Sequence, residues 1–338
     1  MTLPSPAPRV IGATVTYGAR SASCLATLDA LLAAGVSEIV VVDNGSVQAA
    51  RRDLDAYARE HAPRVHVHRL DRNEGSAPAF GVALALAVER GADYVWVLDD
   101  DNLPVGDALV TLLREERALR AAGSPLCAVA PTRAPGFAPE DIAHAIRVEH
   151  AREQPREDRS FAGVEGALFA RRALERLGLR RPRVPDAAAD LPYAPYGGLL
   201  IGSDVIARIG TPDADLVLYG DDLEYTSRIV AAGGRIRLSR SAIVVDPRGQ
   251  RWMPPGFEVL AMFRSTNDAL LYYSLRNRIH RELRTGRRRS LARSANAALF
   301  WALCLACAVT TRRPGKLRVL RRAAADARAG RLGRRVEL

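Results

Sequence analysis

The chain alternates short, continuous apolar runs with stretches whose apolar residues recur at helical spacing. Arg9–Tyr17 (RVIGATVTY), Glu38–Asp43 (EIVVVD), Arg64–Leu70, Asp93–Leu98 (DYVWVL) and Leu126–Ala130 read as strands. Ser21–Ala34, Val47–His61, Ala77–Arg90 and Val105–Ala121 read as the helices between them. Strands that are apolar throughout, set between amphipathic helices, predict βαβ units and a parallel sheet covered on both faces. Ligands of such sheets bind beyond the carboxyl ends of the strands. Thr16-Tyr17-Gly18, Asp43-Asn44-Gly45, Asp71–Ser76 and Asp99–Asn102 all follow strands and are predicted to cluster at one edge. The pattern blurs from about residue 131 to 195. Arg147–Arg159 is highly charged, and Arg180–Pro195, rich in proline and alanine, reads as a loop. Beyond it, Pro195–Gly210 reads as a strand entering a short helix, Val217–Ala232 as a helix with an acidic start, and Arg235–Val245 as a strand. No repeat of solenoid period is visible.

Composition changes this picture at one end only. The 338 residues are 48% hydrophobic and 26% charged, as in ordinary globular proteins. Four cysteines in this length make no disulfide framework and fit a reducing compartment, and residues 1–20 show no signal-peptide pattern. The net charge of +11 is uneven: residues 261–338 hold 19 basic and 4 acidic residues, whereas residues 1–260 hold 30 and 34. This predicts a body, residues 1–260. A basic helical extension, 261–338, follows. A localised basic block points to an anionic partner, either a membrane surface or nucleic acid. Lys316 is the single lysine, so part of the arginine richness reflects composition. Within the tail, Ala295–Val309 is apolar and flanked by arginines. Fifteen residues fall short of the roughly 20 needed to cross a bilayer. A helix lying in the interface, a helix packed on the body and a true span remain the three readings. Cys304 and Cys307 lie inside this run without polar neighbours and read as packing.

The chemistry gathers in four places. Asp99-Asp100-Asp101 follows DYVWVL directly. Three adjacent carboxylates repel one another and suit a hard divalent cation such as Mg²⁺ or Mn²⁺, although a solvated acidic turn has the same composition. In an extended segment Asp99 and Asp101 face one way and Asp100 the other. Gly220-Asp221-Asp222-Leu223-Glu224, followed by Arg228, places carboxylates at a helix start. There they either answer the helix dipole or serve as general base. Asp43 ends a strand, where it can accept from a base or ribose or cap the next helix. Asn73-Glu74-Gly75-Ser76 precedes a helix whose free amides suit phosphate. Neither GxGxxG nor a Walker loop is present, and the six histidines form no ligand pattern.

The ordered series VTYGAR, VVDNGS, NEGSAPAFGVALA, WVLDDDNLP, YGGLLIGSDVIARIG and LYGDDLEYTSRIVAAGG resembles the glycosyltransferase family 2 enzymes of GT-A fold. Within these it is most like the bacterial rhamnosyltransferase and galactofuranosyltransferase type. The likeness covers about residues 9–250, and LYYSLRNRIH extends it to about 280. It implies a GT-A fold, with a Rossmann-like, mostly parallel sheet, a nucleotide-sugar half at about 9–130 and an acceptor half at about 131–260. It also implies metal-assisted, inverting transfer from a UDP- or dTDP-sugar to a glycan or lipid-linked hydroxyl. By resemblance, Tyr17, Asp43, Asn73, Gly75, Asp99 and Asp100 bind the nucleotide sugar, with Tyr17 and Asp43 at the base. Asp101 and Asp99 hold the metal, and Gly197 and Gly198 form a close-approach turn near sugar or acceptor. Asp222 is the base, Asp221 and Glu224 support it, and Arg228 orients those carboxylates. Where many relatives place a metal-binding histidine, this chain has Asp246, which can ligate Mg²⁺ or Mn²⁺ equally well. Such an enzyme is expected in the cytoplasm at the inner face of the cell membrane, held by the basic tail. A nucleotidyltransferase would show a glycine-rich basic signature near the first strand, which VTYGARSAS lacks. A catalytically inactive nucleotide-sugar binder or a membrane- or nucleic-acid-binding scaffold is the other class considered. No specific nucleic-acid recognition motif is visible, and a second copy of the chain is a further candidate partner.

Overall fold

A computed structural model describes residues 7–151, 155–156, 158–179, 189–247, 258–285 and 290–337. The chain divides into two compact units, each drawn from separate stretches of sequence. The first comprises Met1–His150, Pro185–Ala214 and Asp222–Gly249; the second comprises Ala151–Val184, Asp215–Asp221 and Gln250–Leu338.

The first unit is an α/β sandwich. Its strands are β1 (Val10–Gly18), β2 (Glu38–Ser46), β3 (Val65–Leu70), β4 (Tyr94–Asp99), β5 (Leu103–Val105), β6 (Cys127–Ala134), β7 (Ala189–Leu191), β8 (Leu199–Gly202) and β9 (Arg235–Val245). They form one sheet in the order β3-β2-β1-β4-β8-β6-β9-β5, with β7 pairing β9. Strands β3, β2, β1 and β4 are mutually parallel, as βαβ units require. Helices α1 (Ser21–Ala33), α2 (Gln48–Glu60), α3 (Ser76–Glu89) and α4 (Ala108–Ala121) connect and cover them. The continuous apolar runs are explained by two cores, one on each face of the sheet. Val40, Val42, Val95 and Val97 face α3, whereas Val41, Trp96 and Leu98 face α1 and α4.

The second half of the sheet departs from simple alternation. Strand β8 enters between β4 and β6 and runs antiparallel to both. A helix from Val105 is not observed. Pro104 and Gly106 interrupt it, Leu103–Val105 pairs antiparallel with β9, and α4 starts only at Ala108. The blurred stretch contains α5 (Pro139–Ala151), whose Ile142, Ala145 and Ile146 pack on Ile243 and Val245. Of the expected loop at 180–195, residues 180–188 lie outside the described residues, and Ala189–Leu191 forms the edge strand β7.

The second unit is helical. It contains α6 (Gly166–Arg176), α9 (Glu258–Arg264), α10 (Asp268–Thr285), α11 (Leu291–Thr310) and α12 (Gly315–Arg328). Helices α7 (Ser203–Ile209) and, from Asp222 onward, α8 (Asp221–Ala231) belong to the first unit. The helical core gathers Phe161, Phe263, Tyr272, Tyr273, Phe300, Cys304 and Leu320. Buried polar groups are paired within it. Glu282 accepts from the Ser160 hydroxyl and the Ala162 and Gly163 amides, and Tyr272 donates to Asp326 at 2.6 Å. The apolar run in the tail is longer in the structure than its composition suggested. Helix α11 has 20 residues and is long and apolar enough to cross a membrane by length and composition.

Burial alone would raise the Asp326 carboxyl. The Tyr272 hydroxyl, then Arg331 and Arg322, overrule it and hold the group below the usual carboxylate range. A depressed folded value stabilises the chain above the unfolded value of about 3.9, and that contribution fades as pH falls through the folded value. Asp326→Asn is therefore expected to cost roughly 1–2 kcal/mol at pH 7. Thermal melts as a function of pH should show the gap between variant and wild type closing below about pH 4.

Candidate active site

Strand register assembles the site. Thr16 on β1 pairs with Asp43 on β2, and Val15 pairs with Asp99 on β4, so the carboxyl ends of three neighbouring strands lie side by side. The fourth segment, Asn73–Gly75, is tied to them by Asn44. The Asn44 amide donates to Asn73 Oδ1 at 3.2 Å and to the Gly75 carbonyl at 3.0 Å, and its Oδ1 accepts from the Glu74 amide at 2.8 Å. Gly45 has φ +81°, and a Cβ there would lie 2.5 Å from the Asn73 backbone nitrogen, so only glycine permits this approach. Asp43 is fully buried. Its Oδ1 accepts from the Ser46 amide at 2.8 Å, and Arg51 and Arg69 lie 3.4 Å from its Oδ2.

The acidic triplet is divided by its partners. Asp100 turns inward, where Thr16 Oγ1 donates to it at 2.7 Å and Arg20 donates through Nε at 2.9–3.0 Å and Nη2 at 2.6 Å. The same Arg20 Nη2 reaches Asp101 Oδ2 at 2.6 Å, and its guanidinium lies 5.3 Å from the centre of the exposed Tyr17 ring. Asp99 stays partly open to solvent. Arg133 Nη2 lies 3.9 Å from both Asp99 and Asp246. Asp246 arrives because β9 pairs with β6 and β5, and its amide donates to the Ala134 carbonyl at 3.0 Å.

Desolvation, first, and then the carboxylates of Asp101, Asp222 and Asp100 push the Asp99 acid up to about 7, against the lowering effect of Arg133. Asp222 thus acts on Asp99 although 123 positions separate them in sequence. Asp222 opens α8 within the first unit, with the Leu223 amide donating to its Oδ1 at 2.8 Å. Arg228 donates to Glu224 through Nε and Nη2 at 2.6–3.1 Å and also reaches the Thr211 carbonyl at 3.0 Å. Gly198 has φ +93°, and a Cβ there would lie 2.4 Å from Pro131. Its carbonyl accepts from the Trp96 indole at 2.9 Å. At Gly197 a Cβ would lie 2.5 Å from Asn102 Oδ1, which is buried without a hydrogen-bond partner.

Among the described residues, no three His, Cys, Asp or Glu side chains converge at metal-ligand spacing. The donor chemistry nevertheless fits a hard cation. Asp99 and Asp101 are carboxylates, and Asn102 holds an unused carbonyl oxygen.

In the second unit, residues 215–221 form a turn leading to Asp222. Val217 and Tyr219 adopt φ of +65° and +58°, which is unfavourable for side-chain-bearing residues. The turn is held by α10: Asn277 Nδ2 lies 2.7–2.9 Å from the carbonyls of Leu216, Leu218 and Tyr219, and Arg276 Nη2 reaches those of Asp215 and Leu216. The predicted helix from Val217 therefore begins only at Asp221. Asp221 itself is 2% exposed. Sequence reading missed the roles of Arg20, Asn44, Arg133, Arg276 and Asn277. The motif LYYSLRNRIH was the one pointer to the last two.

Residues 13–176 match the model of the family "Glycosyl transferase family 2". Galactofuranosyltransferase GlfT1 of Mycobacterium tuberculosis is 27% identical over 188 residues, 54% of this chain and 52% of that protein. GlfT1 of Mycolicibacterium smegmatis is 25% identical over 180 residues, 53% of this chain and 52% of its own length. The chain spans about half the length of the curated relatives it matches. Among solved structures, GalNAc-T7 with UDP, GalNAc and Mn²⁺ aligns over 96% of this chain and 58% of its own, with TM-score 0.54 and 14% identity. The mannosyltransferase PcManGT of Pyrobaculum calidifontis, in complex with GDP-Man and Mn²⁺, aligns over 97% and 88%, with TM-score 0.50 and 15% identity. These likenesses show the GT-A fold.

Arg20 offsets two carboxylates at once, so Arg20→Gln leaves Asp100 buried without its cation. Removing one partner of a buried pair costs about 3–5 kcal/mol, which urea unfolding of variant and wild type would measure.

Proposed function

With a glycosyl transferase family 2 domain in residues 13–176, we propose that this protein is an inverting glycosyltransferase using a nucleotide-diphosphate sugar. The observation that carries the reading is geometric: strand register brings Asp99, at the carboxyl end of β4, beside the ends of β1 and β2, and Arg133 Nη2 lies 3.9 Å from both Asp99 and Asp246. A carboxylate beside a site for a diphosphate has the chemistry of a general base. Asp222 accepts the proton of the acceptor hydroxyl as that oxygen forms its bond to the anomeric carbon. The bond from that carbon to the diphosphate oxygen breaks on the opposite side, and one displacement inverts the centre. Glu224, fixed by Arg228, braces the start of α8. Asp221 supports the same carboxylate cluster.

On the donor side, Tyr17 and Asp43 receive the base, and the Asn73–Gly75 loop, fixed by Asn44, closes over the nucleoside and phosphates. Asp99 and Asp100 complete the donor site, Asp100 acting through its inward bonds to Thr16 and Arg20. Gly197 and Gly198, which have no room for a Cβ, border the sugar or acceptor. Asp101, Asp99 and Asp246 would hold Mn²⁺ or Mg²⁺. The bound cation would neutralise charge on the leaving diphosphate. The donor is a UDP- or dTDP-sugar such as galactofuranose or rhamnose, and the curated relatives support galactofuranose. A glycan or lipid-linked hydroxyl is the acceptor, at the inner face of the cell membrane. The catalytic body corresponds to about residues 1–260 and the basic helical extension to 261–338.

Calorimetry with UDP, dTDP and GDP, each with Mn²⁺ or EDTA, tests the donor site. One nucleotide should bind tightly, only with metal, and Asp101→Asn should abolish that binding while circular dichroism shows an intact fold. No binding by any nucleotide to folded protein would return the reading to an inactive scaffold. Asp222→Asn should retain nucleotide affinity yet lower transfer from UDP-galactofuranose by about 10²–10⁴-fold, read by release of UDP.

A further inference from the structure

Helix α11 is apolar on nearly all sides, yet only one stripe is buried. Arg293, Asn296, Phe300, Cys304 and Cys307 face the helical core. Ala298, Ala302, Leu305 and Val309 recur at spacings of four, three and four and form the opposite stripe, with Leu305 and Val309 60% and 70% exposed. Helix α12 follows after a short turn, and Leu317, Arg321 and Arg328 share one of its faces. Between the two helices lies a groove of about 610 Å³ lined by Trp301, Ala302, Leu305, Leu317, Arg321 and Arg328. Its floor is apolar and its α12 side is cationic. Arg312 and Arg318, on the same stretch of chain, are also exposed.

We infer that this groove docks the helical unit onto an anionic lipid bilayer. Apolar side chains beside arginines match the acyl boundary and the phosphates above it, and tryptophan favours that depth. Crossing the bilayer is opposed by the buried stripe. Asn296 Oδ1 accepts from the Gly166 amide at 2.9 Å, and its Nδ2 donates to the Arg159 carbonyl at 3.0 Å, so that face of α11 is committed to its own unit. The helix therefore lies along the surface. A symmetric contact with a second copy would bring two cationic rims together, so charge complementarity favours anionic lipid.

The inference goes beyond the transferase reading and is tested without donor or acceptor. The full chain is sedimented with vesicles of phosphatidylcholine, alone or with about one-third phosphatidylglycerol, at about 0.05 M and about 0.5 M salt. Binding should require phosphatidylglycerol, weaken at high salt and shift tryptophan emission to the blue. Arg321→Gln with Arg328→Gln should weaken binding about tenfold or more. Leu305→Ser should weaken it as well, and Trp301→Phe should remove the emission shift. Arg52→Gln with Arg59→Gln, exposed on α2, should bind as wild type. The inference is overturned if anionic vesicles do not bind, or if the Arg321/Arg328 variant binds like wild type with its melting temperature unchanged. It is also overturned if ultracentrifugation without lipid shows a dimer that Leu305→Ser dissolves. Binding that duplex DNA abolishes, with no emission shift, would assign the arginines to nucleic acid instead.

Discussion

The end of β4 carries more negative charge than a half-buried strand terminus can hold alone, and much of the first unit is arranged around that fact. Asp99, Asp100 and Asp101 repel one another, and Asp222 and Asp246 add to the field. Two arginines divide the load. Arg20 draws Asp100 inward and steadies Asp101, while Arg133 stands between Asp99 and Asp246. Burial first, and then the carboxylates of Asp101, Asp222 and Asp100, raise the Asp99 acid to about 7 despite Arg133. Carboxylates crowded at one strand end are suited to a further hard cation. That is the physical basis for the donor chemistry proposed.

The second half of the sheet, which mixes parallel and antiparallel pairings, delivers the remaining parts. Strand β8 sits beside β4, and Gly198, immediately before β8, lies close enough for its amide to donate to the Val97 carbonyl at 2.8 Å. Strand β9 is long enough to pair with β6 along its start and again near its end, across a register shift between Ala130 and Thr132. Thr132 Oγ1 bridges that shift by donating to the Ser239 carbonyl at 2.7 Å. Without the shift, Asp246 would leave the sheet at a different height. Pairing of β5 with the end of β9 then closes the acidic motif against it.

Two of the four non-glycine residues with left-handed backbone among the described residues stand before the proposed base. Val217 and Tyr219 hold left-handed conformations that their side chains disfavour, and buried Asn277 and Arg276 offset this by capping four carbonyls of the turn. The cost is sustained because α10 is anchored in its own core through Tyr272, Tyr273 and Leu275.

Much of this was legible along the chain. The parallel strands β1 to β4, their helices and the carboxyl-end loops follow from hydrophobic period alone, because local pattern and burial agree there. The carboxylate motifs could be named for the same reason: their residue types are chemically unusual at strand ends. The antiparallel entry of β8, the short strand at Leu103 and helix α5 could not be read, since each depends on a partner distant in sequence. The partners of the acidic residues were equally hidden. Arg20 and Arg133 resemble any of the other arginines until the sheet brings them to the carboxylates. The sequence by itself determined the layered α/β architecture, the charged tail and the residue types available for chemistry, because these reside in local order and composition. Only the tertiary structure decided which carboxylate is neutralised, which is left open and which face of α11 stays exposed, because electrostatic pairing and burial act through space.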